Sequence, residues 1–128
     1  MKTLVVIFVA LLLVGCGSQP AATKAETTTT AEVSCAKDIR PMLNLSCMPC
    51  HAGGKDAKGS YDLTSHAGIM GSGTDSVANV LPGNADSSTL YRRVSDTIPL
   101  RMPKGRPPLD AAQLSTIQKW INQGAKNN

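Results

Sequence analysis

Aromatic residues are scarce in this sequence of 128 residues. It contains one Phe, two Tyr and one Trp, and aromatics make up 3% of the chain. Phe8 lies in an apolar run near the N-terminus, so the remainder of the chain has only Tyr61, Tyr91 and Trp120. A single small domain with so little aromatic bulk has a marginal hydrophobic core. The scarcity therefore favours a core that is centred on a cofactor.

A strong excess of one charge is also lacking. The sequence has 13 Lys and Arg against 9 Asp and Glu, a formal net charge of +4, and Lys2 accounts for one of these charges. The basic residues are scattered along the chain. This balance favours neither a nucleic-acid partner nor a polybasic membrane-binding surface.

The longest apolar run is too short to span a membrane comfortably. Leu4–Val14 is uninterrupted and follows the positive Lys2, which is typical of a signal peptide. The run leads into Leu13-Val14-Gly15-Cys16, which resembles the bacterial lipobox, where cleavage precedes the cysteine. We therefore predict a lipoprotein signal peptide over residues 1–15 and lipidation of Cys16. The alternative is an ordinary signal peptide that ends near a cysteine.

Residues 16–32 are predicted to consist of the lipidated Cys16 followed by a flexible linker. After Cys16 the linker is rich in Ala, Thr, Ser and charge and has no large apolar residue, so it cannot bury enough surface to order itself. The globular domain is predicted over residues 33–128. An exported protein anchored to a bacterial membrane is expected, with this domain facing the periplasm or the cell exterior.

The motif Cys47-Met48-Pro49-Cys50-His51 is a C-x-x-C-H sequence, the spacing that attaches c-type haem. Its two cysteines direct their sulfurs to one side of a tight turn, where they form thioethers with porphyrin vinyl groups, and His51 supplies an axial nitrogen. The same cysteine spacing occurs in zinc sites and thiol redox motifs, but zinc needs further closely spaced ligands. The remaining Cys35 and His66 are not paired in that way. We predict one covalently bound haem c.

Apolar residues recur at helical spacing in several segments, which predicts an all-α domain. The first helix is expected over residues 36–46, with Pro41 delaying its regular part to Asp38 or later. The next spans 65–71, capped by Thr64 or Ser65, and a third ends near Val94, capped by Asp86 or Ser87. A final helix is opened by the capping box Asp110-x-x-Gln113 and closed by Gly124, with Leu114, Ile117, Trp120 and Ile121 as its apolar face. Residues 52–60 and the four-proline segment 95–109 are expected to be loops.

A second axial ligand to the iron has four candidates: Met42, Met70, Met102 and His66. Met48 lies inside the attachment turn and cannot reach the opposite face of the haem. Met102 lies in a loop stiffened by prolines, which would present a ligand with little loss of entropy. A methionine at helical spacing is more often a core residue.

The stretch from Ala36 to Gly124 resembles the class I cytochrome c superfamily, in particular its planctomycete-type or a related bacterial branch. The shared motifs are Asp38-Ile39-Arg40-Pro41-Met42-Leu43, Pro82-Gly83-Asn84 with Ser88, Leu90 and Tyr91, a Met-Pro loop at Met102, and Trp120-Ile121-Asn122-Gln123-Gly124-Ala125. The resemblance implies a small cytochrome c fold of three to four short helices around one haem. It implies His51 as the proximal and Met102 as the distal axial ligand.

Other residues have expected roles around the haem. The Nδ1–H of His51 should donate to a backbone carbonyl, for which Pro82 is a candidate by analogy with other cytochromes c. Arg92, Arg93 and Arg101 are candidate partners of the haem propionates. Cys35 departs from the family pattern, and it is either a buried core residue or the site of an intermolecular disulfide.

The function implied by the resemblance is one-electron transfer between redox partner proteins, by a protein that is not itself an enzyme. The alternatives are a haem-containing subunit of an oxidoreductase, or a ligand-binding or catalytic haem domain with an open sixth position. A thiol-redox lipoprotein, in which Cys47 and Cys50 form a disulfide, is a further alternative.

Overall fold

The computed structural model describes residues 31–71 and 78–128. Within these ranges there are four α-helices and no β-strand, which confirms the predicted all-α class. The helices are α1 (Arg40–Ser46), α2 (His66–Met70), α3 (Thr89–Val94) and α4 (Ala111–Asn122). The predicted signal peptide, the predicted lipidation site Cys16 and nearly all of the linker lie outside the described residues.

Helix α1 is preceded by a π-helical turn, Cys35–Ile39. In a regular helix the ring of Pro41 would meet the carbonyl four residues earlier, and its missing N–H would leave that carbonyl unpaired. The N–H of Arg40 instead donates to the carbonyl of Cys35, five residues back, and Pro41 falls in the first turn of α1, where proline is tolerated. The predicted late start of the regular helix is thus confirmed.

Helix α2 begins after Ser65, one of its two predicted caps. The Ser65 hydroxyl accepts a hydrogen bond from the N–H of Gly68 at 3.0 Å. Gly68 packs so closely on the carbonyl of Asp62 that a side-chain Cβ at this position would overlap it. Glycine is therefore required here for α2 to lie against the segment that follows the C-x-x-C-H motif.

Helix α3 begins at Thr89, two residues after Ser87 and three after Asp86, so the assignment of Asp86 or Ser87 as its cap was wrong. The residue before α3 is Ser88, whose side chain does not cap the helix. Its buried hydroxyl accepts a hydrogen bond from the N–H of Leu81 at 2.8 Å and donates to the carbonyl of Asn84 at 2.8 Å. The serine of the P-G-N-x-x-x-S motif therefore closes the turn that precedes α3.

Helix α4 has the predicted capping box. The Asp110 carboxylate accepts from the N–H of Gln113 at 2.8 Å, and the Gln113 side chain accepts from the N–H of Asp110 at 2.9 Å. Gly124 follows the helix with φ +101°, a left-handed conformation that glycine adopts without strain. The helix packs on the π-helical turn and on α3, and it buries Ile117, Trp120 and Ile121.

The two ends of the described chain meet at the start of the π-helical turn. The N–H of Ala36 donates to the carbonyl of Asn128 at 2.8 Å, and the N–H of Cys35 donates to the Asn128 side chain at 2.9 Å. Cys35 itself is 1% exposed, and burial raises the pKa of its thiol. Of the two interpretations of this cysteine, the structure supports the buried core residue.

The substitution Ser88→Ala tests the turn before α3. It removes the buried hydroxyl that bonds to the N–H of Leu81 and to the carbonyl of Asn84, so we expect the free energy of unfolding to fall by about 1–3 kcal/mol. Urea unfolding of the haem-loaded protein would measure the change. Ser87→Ala is the matched control, since Ser87 is the exposed neighbour. Equal losses for the two variants would contradict the role assigned to Ser88.

Candidate haem site

The C-x-x-C-H motif continues directly from the end of α1 as a series of tight turns. The N–H of Cys47 donates to the carbonyl of Leu43 at 2.8 Å, as in the last turn of a helix. The N–H groups of Cys50 and His51 both donate to the carbonyl of Cys47, at 3.1 and 3.0 Å. These bonds curl the motif, and both cysteines and His51 line one cavity.

This main cavity has a volume of about 310 Å³, and a second cavity of about 160 Å³ shares part of its lining. His51 and Met102 line both, so the two cavities are adjoining parts of one cleft. Apolar side chains from three parts of the chain complete the main cavity, namely Leu63, Leu90, Val94 and Pro103. The cleft therefore combines two thiols, an imidazole and a thioether with an apolar wall.

The imidazole of His51 is oriented by the backbone of Tyr61. The Nδ1 atom lies 3.1 Å from the carbonyl oxygen of Tyr61. Because a carbonyl can only accept, Nδ1 carries the hydrogen, and the lone pair of Nε2 is left for a metal. The prediction that the carbonyl of Pro82 is the acceptor was wrong. Pro82 is exposed in a turn, and the N–H of the next residue, Gly83, donates to the carbonyl of Ile121 in α4.

The segment around Tyr61 also holds the motif by its backbone. The N–H of Lys58 donates to the carbonyl of Cys50 at 2.9 Å, and the N–H of Leu63 donates to the carbonyl of His51 at 2.8 Å. The Tyr61 ring stands edge-on to the His51 ring, with centroids 5.8 Å apart. Sequence reasoning missed this role of Tyr61, although a lone aromatic shortly after the motif was a possible signal.

The Tyr61 hydroxyl ties this segment to α2. It donates a hydrogen bond to the carbonyl of Ile69 at 2.7 Å inside the core. Burial raises the pKa of the phenol well above its usual value, with the nearby Cys47 thiol acting in the same direction. Tyr61 therefore remains a neutral donor, and α2 is linked through it to the carbonyl that holds His51.

The two cysteines differ in exposure. Cys47 is half-buried and Cys50 is exposed, and neither forms a disulfide within residues 31–71 and 78–128. Burial raises the pKa of Cys47 to about 11, while the positive charge of Arg106 acts in the opposite direction and Cys50 adds a smaller increase. The Cys47 thiol is thus held in its protonated form, with a basic side chain close by.

Met102 is the one candidate distal ligand that lies in the cleft with His51. Its N–H donates to the carbonyl of Arg93 at 2.9 Å. Met42 and Met70 pack against the core and line neither cavity. His66 lies away from the cleft, with its Nε2 atom 2.7 Å from the carbonyl of Ala125. The structure therefore brings together four of the predicted site residues, Cys47, Cys50, His51 and Met102.

The lining of the cleft is positively charged. Apart from the motif and Tyr61, the ionisable side chains that line it within residues 31–71 and 78–128 are all cations, namely Lys58, Arg93, Lys104 and Arg106. Of the three arginines predicted to meet propionates, only Arg93 is in this set. Arg101 does not line the cleft, and its buried Nη1 atom has no hydrogen-bond partner among the described residues. Sequence reasoning missed Lys58, Lys104 and Arg106, because exposed cations carry no distinguishing pattern.

This donor set fits c-type haem. The cleft offers two thiols at the attachment spacing, a nitrogen lone pair fixed by a hydrogen bond, a soft thioether and cations suited to carboxylate groups. Among residues 31–71 and 78–128 no group of three or more His, Cys, Asp or Glu side chains is placed to hold a metal ion. Of the other residues considered for a zinc site, Cys35 lies in the core and His66 lies beside Ala125.

The fold is that of a small all-α domain, and its cleft fits a covalently attached haem. Residues 47–105 match the family described as Planctomycete cytochrome C, which supports a cytochrome c-type domain in this part of the chain. The family implies covalently bound haem c. No curated protein and no solved structure shows significant similarity to the chain.

The substitution Tyr61→Phe tests the link between α2 and the motif. It removes the donor to the buried carbonyl of Ile69, so we expect the free energy of unfolding to fall by about 1–2 kcal/mol. Chemical unfolding of the haem-loaded protein would measure this loss. The control is Tyr91→Phe, because the Tyr91 hydroxyl that it removes makes no hydrogen bond with the described residues. A control that lost as much stability would refute the link.

Proposed function

We propose that this protein is a one-electron carrier that holds a single haem c and exchanges electrons with redox partner proteins. Cys47 and Cys50 would form the thioether bonds, His51 would be the proximal ligand and Met102 the distal ligand. The protein itself would carry out no substrate chemistry. If the protein is instead a haem-containing subunit of an oxidoreductase, its haem site would be the same and its redox partner would be another subunit of that enzyme.

The observation that carries this proposal is that Met102 and His51 line the same cleft. The other candidate ligands, Met42, Met70 and His66, make their contacts elsewhere. Since two side chains of suitable chemistry face one cleft, both axial positions can be filled by the chain. This favours electron transfer over catalysis, which requires a coordination position for the substrate.

The chain's own residues set the properties of the site. Haem c bound there supplies a one-electron Fe(II)/Fe(III) couple. The thioether of Met102 is a soft ligand that favours the reduced iron and raises the reduction potential relative to two imidazoles. The hydrogen bond from His51 to Tyr61 fixes the tautomer and orientation of the proximal ligand. The cations around the cleft suit the negative charges of the propionates.

We further propose that the protein is a lipoprotein held at a bacterial membrane through Cys16. The support is the sequence Leu13-Val14-Gly15-Cys16 after an apolar run and Lys2. No helix in the described part of the chain has the length and apolar character needed to cross a membrane. The first helical run begins after Ser34 and ends at Ser46, and its twelve residues separate its start from the motif by roughly 18 Å. An anchor at that end would leave the cleft accessible to partners in the periplasm or outside the cell.

The substitution Met102→Leu tests the distal ligand. It keeps the volume but removes the sulfur, so the oxidised protein should lose the weak far-red absorption band of methionine-ligated haem. The reduced variant should bind carbon monoxide, and the reduction potential should change. Absorption spectra of both oxidation states would show this. The control Met70→Leu removes a sulfur that packs on the core, and it should retain the band.

Two results would overturn the assignment. The first is a wild-type protein without the methionine band that already binds carbon monoxide, which would favour a ligand-binding or catalytic haem domain. The second is loss of the band in Met70→Leu with retention in Met102→Leu, which would reassign the ligand.

The substitution Cys16→Ser tests the lipid anchor. A serine cannot accept the thioether-linked diacylglycerol, so the variant should incorporate no labelled fatty acid, whereas the wild-type protein should incorporate it and partition into the detergent-rich phase in detergent phase separation. Its haem spectrum should be unchanged, because the site lies in another part of the chain. A wild-type protein that is already found in the aqueous phase would contradict lipidation and favour an ordinary signal peptide.

A further inference from the structure

Three arginines donate hydrogen bonds to backbone carbonyls around the loop that carries Met102. Arg93, at the end of α3, donates to the carbonyl of Pro99. Arg101 donates from Nη2 to the carbonyl of Arg106 at 3.3 Å, and Arg106 donates from Nη1 to the carbonyl of Leu45 at 3.0 Å. The first bond connects the loop with α3, and the second lies within the loop. Of the three, only the third connects the loop with α1.

The carbonyl that Arg106 contacts belongs to the end of α1. Leu45 is the penultimate residue of this helix, and the last four carbonyls of a helix have no partner within it. A guanidinium group at this end is favoured both as a donor and by the negative pole of the helix dipole. Since Cys47 follows Leu45 by two residues, Arg106 connects the Met102 loop with the helix end that carries the attachment motif.

The loop has no regular secondary structure of its own to fix its shape on the side that faces α1. Residues 95–109 contain no helix or strand, and Leu100 has φ +67°, which non-glycine residues rarely adopt. Such a conformation persists where surrounding contacts determine it. The N–H of Met102 is bonded to Arg93 at the α3 side of the loop, whereas Arg106 provides the contact on the α1 side.

We propose that Arg106 is a positioning residue, a latch that holds the Met102 loop against the end of α1 and so opposes displacement of Met102 by an added ligand. The inference rests on the proposed function, in which Met102 is the distal ligand. Arg106 does not contact the iron in this scheme. It acts by lowering the free energy of the loop arrangement in which Met102 lines the cleft together with His51.

Cyanide binding to the oxidised, haem-loaded full-length protein tests the latch, because cyanide must displace Met102. In Arg106→Gln we expect the cyanide affinity to rise by about threefold to tenfold, the range that corresponds to loss of one hydrogen bond of ordinary net strength. Without cyanide, the methionine band should remain at neutral pH. Spectrophotometric titration would give both results.

Lys104→Gln is the matched control. Lys104 lies in the same loop, lines the same cavity and carries the same charge, but its side chain makes no hydrogen bond with the described residues. If Arg106 acted only through its charge, the two variants would gain cyanide affinity equally, and the latch would be refuted. If Arg106→Gln lowered only the stability to urea and left the cyanide affinity unchanged, the latch would also be refuted.

The test separates this inference from the proposed function. A wild-type protein that lacks the methionine band would refute the assignment of Met102, and the latch with it. A wild-type protein with the band, and with Arg106→Gln indistinguishable from Lys104→Gln, would refute the latch alone.

Discussion

The hydrogen bond between His51 Nδ1 and the Tyr61 carbonyl is the contact on which the site depends. It selects the imidazole tautomer and leaves Nε2 for the metal. The acceptor is itself held in place, because the Tyr61 hydroxyl is bonded to Ile69 in the core and Leu63 is bonded back to the His51 carbonyl. Gly68 permits the close packing of α2 that this arrangement needs. The proximal side is thus built by ten residues of chain that fold back on the motif and dock on a short helix.

The distal side is held in a different way. Met102 lies in a segment without helix or strand, and its position is set by prolines and by hydrogen bonds from arginine side chains to backbone carbonyls. Each of these bonds contributes a modest net free energy of about 0.5–1.5 kcal/mol. Several such bonds together restrict the loop, and a ligand on a restricted loop loses less entropy when it binds. His51, the proposed proximal ligand, is therefore fixed by the core, whereas Met102, the proposed distal ligand, is fixed by its loop and the contacts at the loop's edges.

The core that supports both sides includes the apolar face of α4. Trp120, Ile117 and Ile121 are buried where this helix meets the π-helical turn and α3. The turn before α3 is bonded to Ile121, and the chain beyond α4 returns to cap the first helical segment at Cys35 and Ala36. The last helix thus joins the start of the motif helix to the region that carries Arg93, and a haem-centred domain with few aromatics depends on this packing.

The sequence by itself determined the features that depend on local chemistry. The C-x-x-C-H spacing, the late start of α1 at Pro41, the cap of α2 at Ser65 and the capping box of α4 each involve residues only a few positions apart, so their patterns were sufficient. The all-α class followed from the same periodicity.

Only the tertiary structure decided the relations between distant parts of the chain. The acceptor for His51 was predicted at Pro82 but lies at Tyr61, because the segment after the motif folds back. The hydroxyl of Ser88 closes a turn and does not cap α3, since its partners Leu81 and Asn84 are brought to it by packing. The choice of Met102 over His66 for the cleft, and the contact of Arg106 with the end of α1, depend on the path of the chain between them. A local sequence pattern does not determine that path, because the path depends on packing between distant residues.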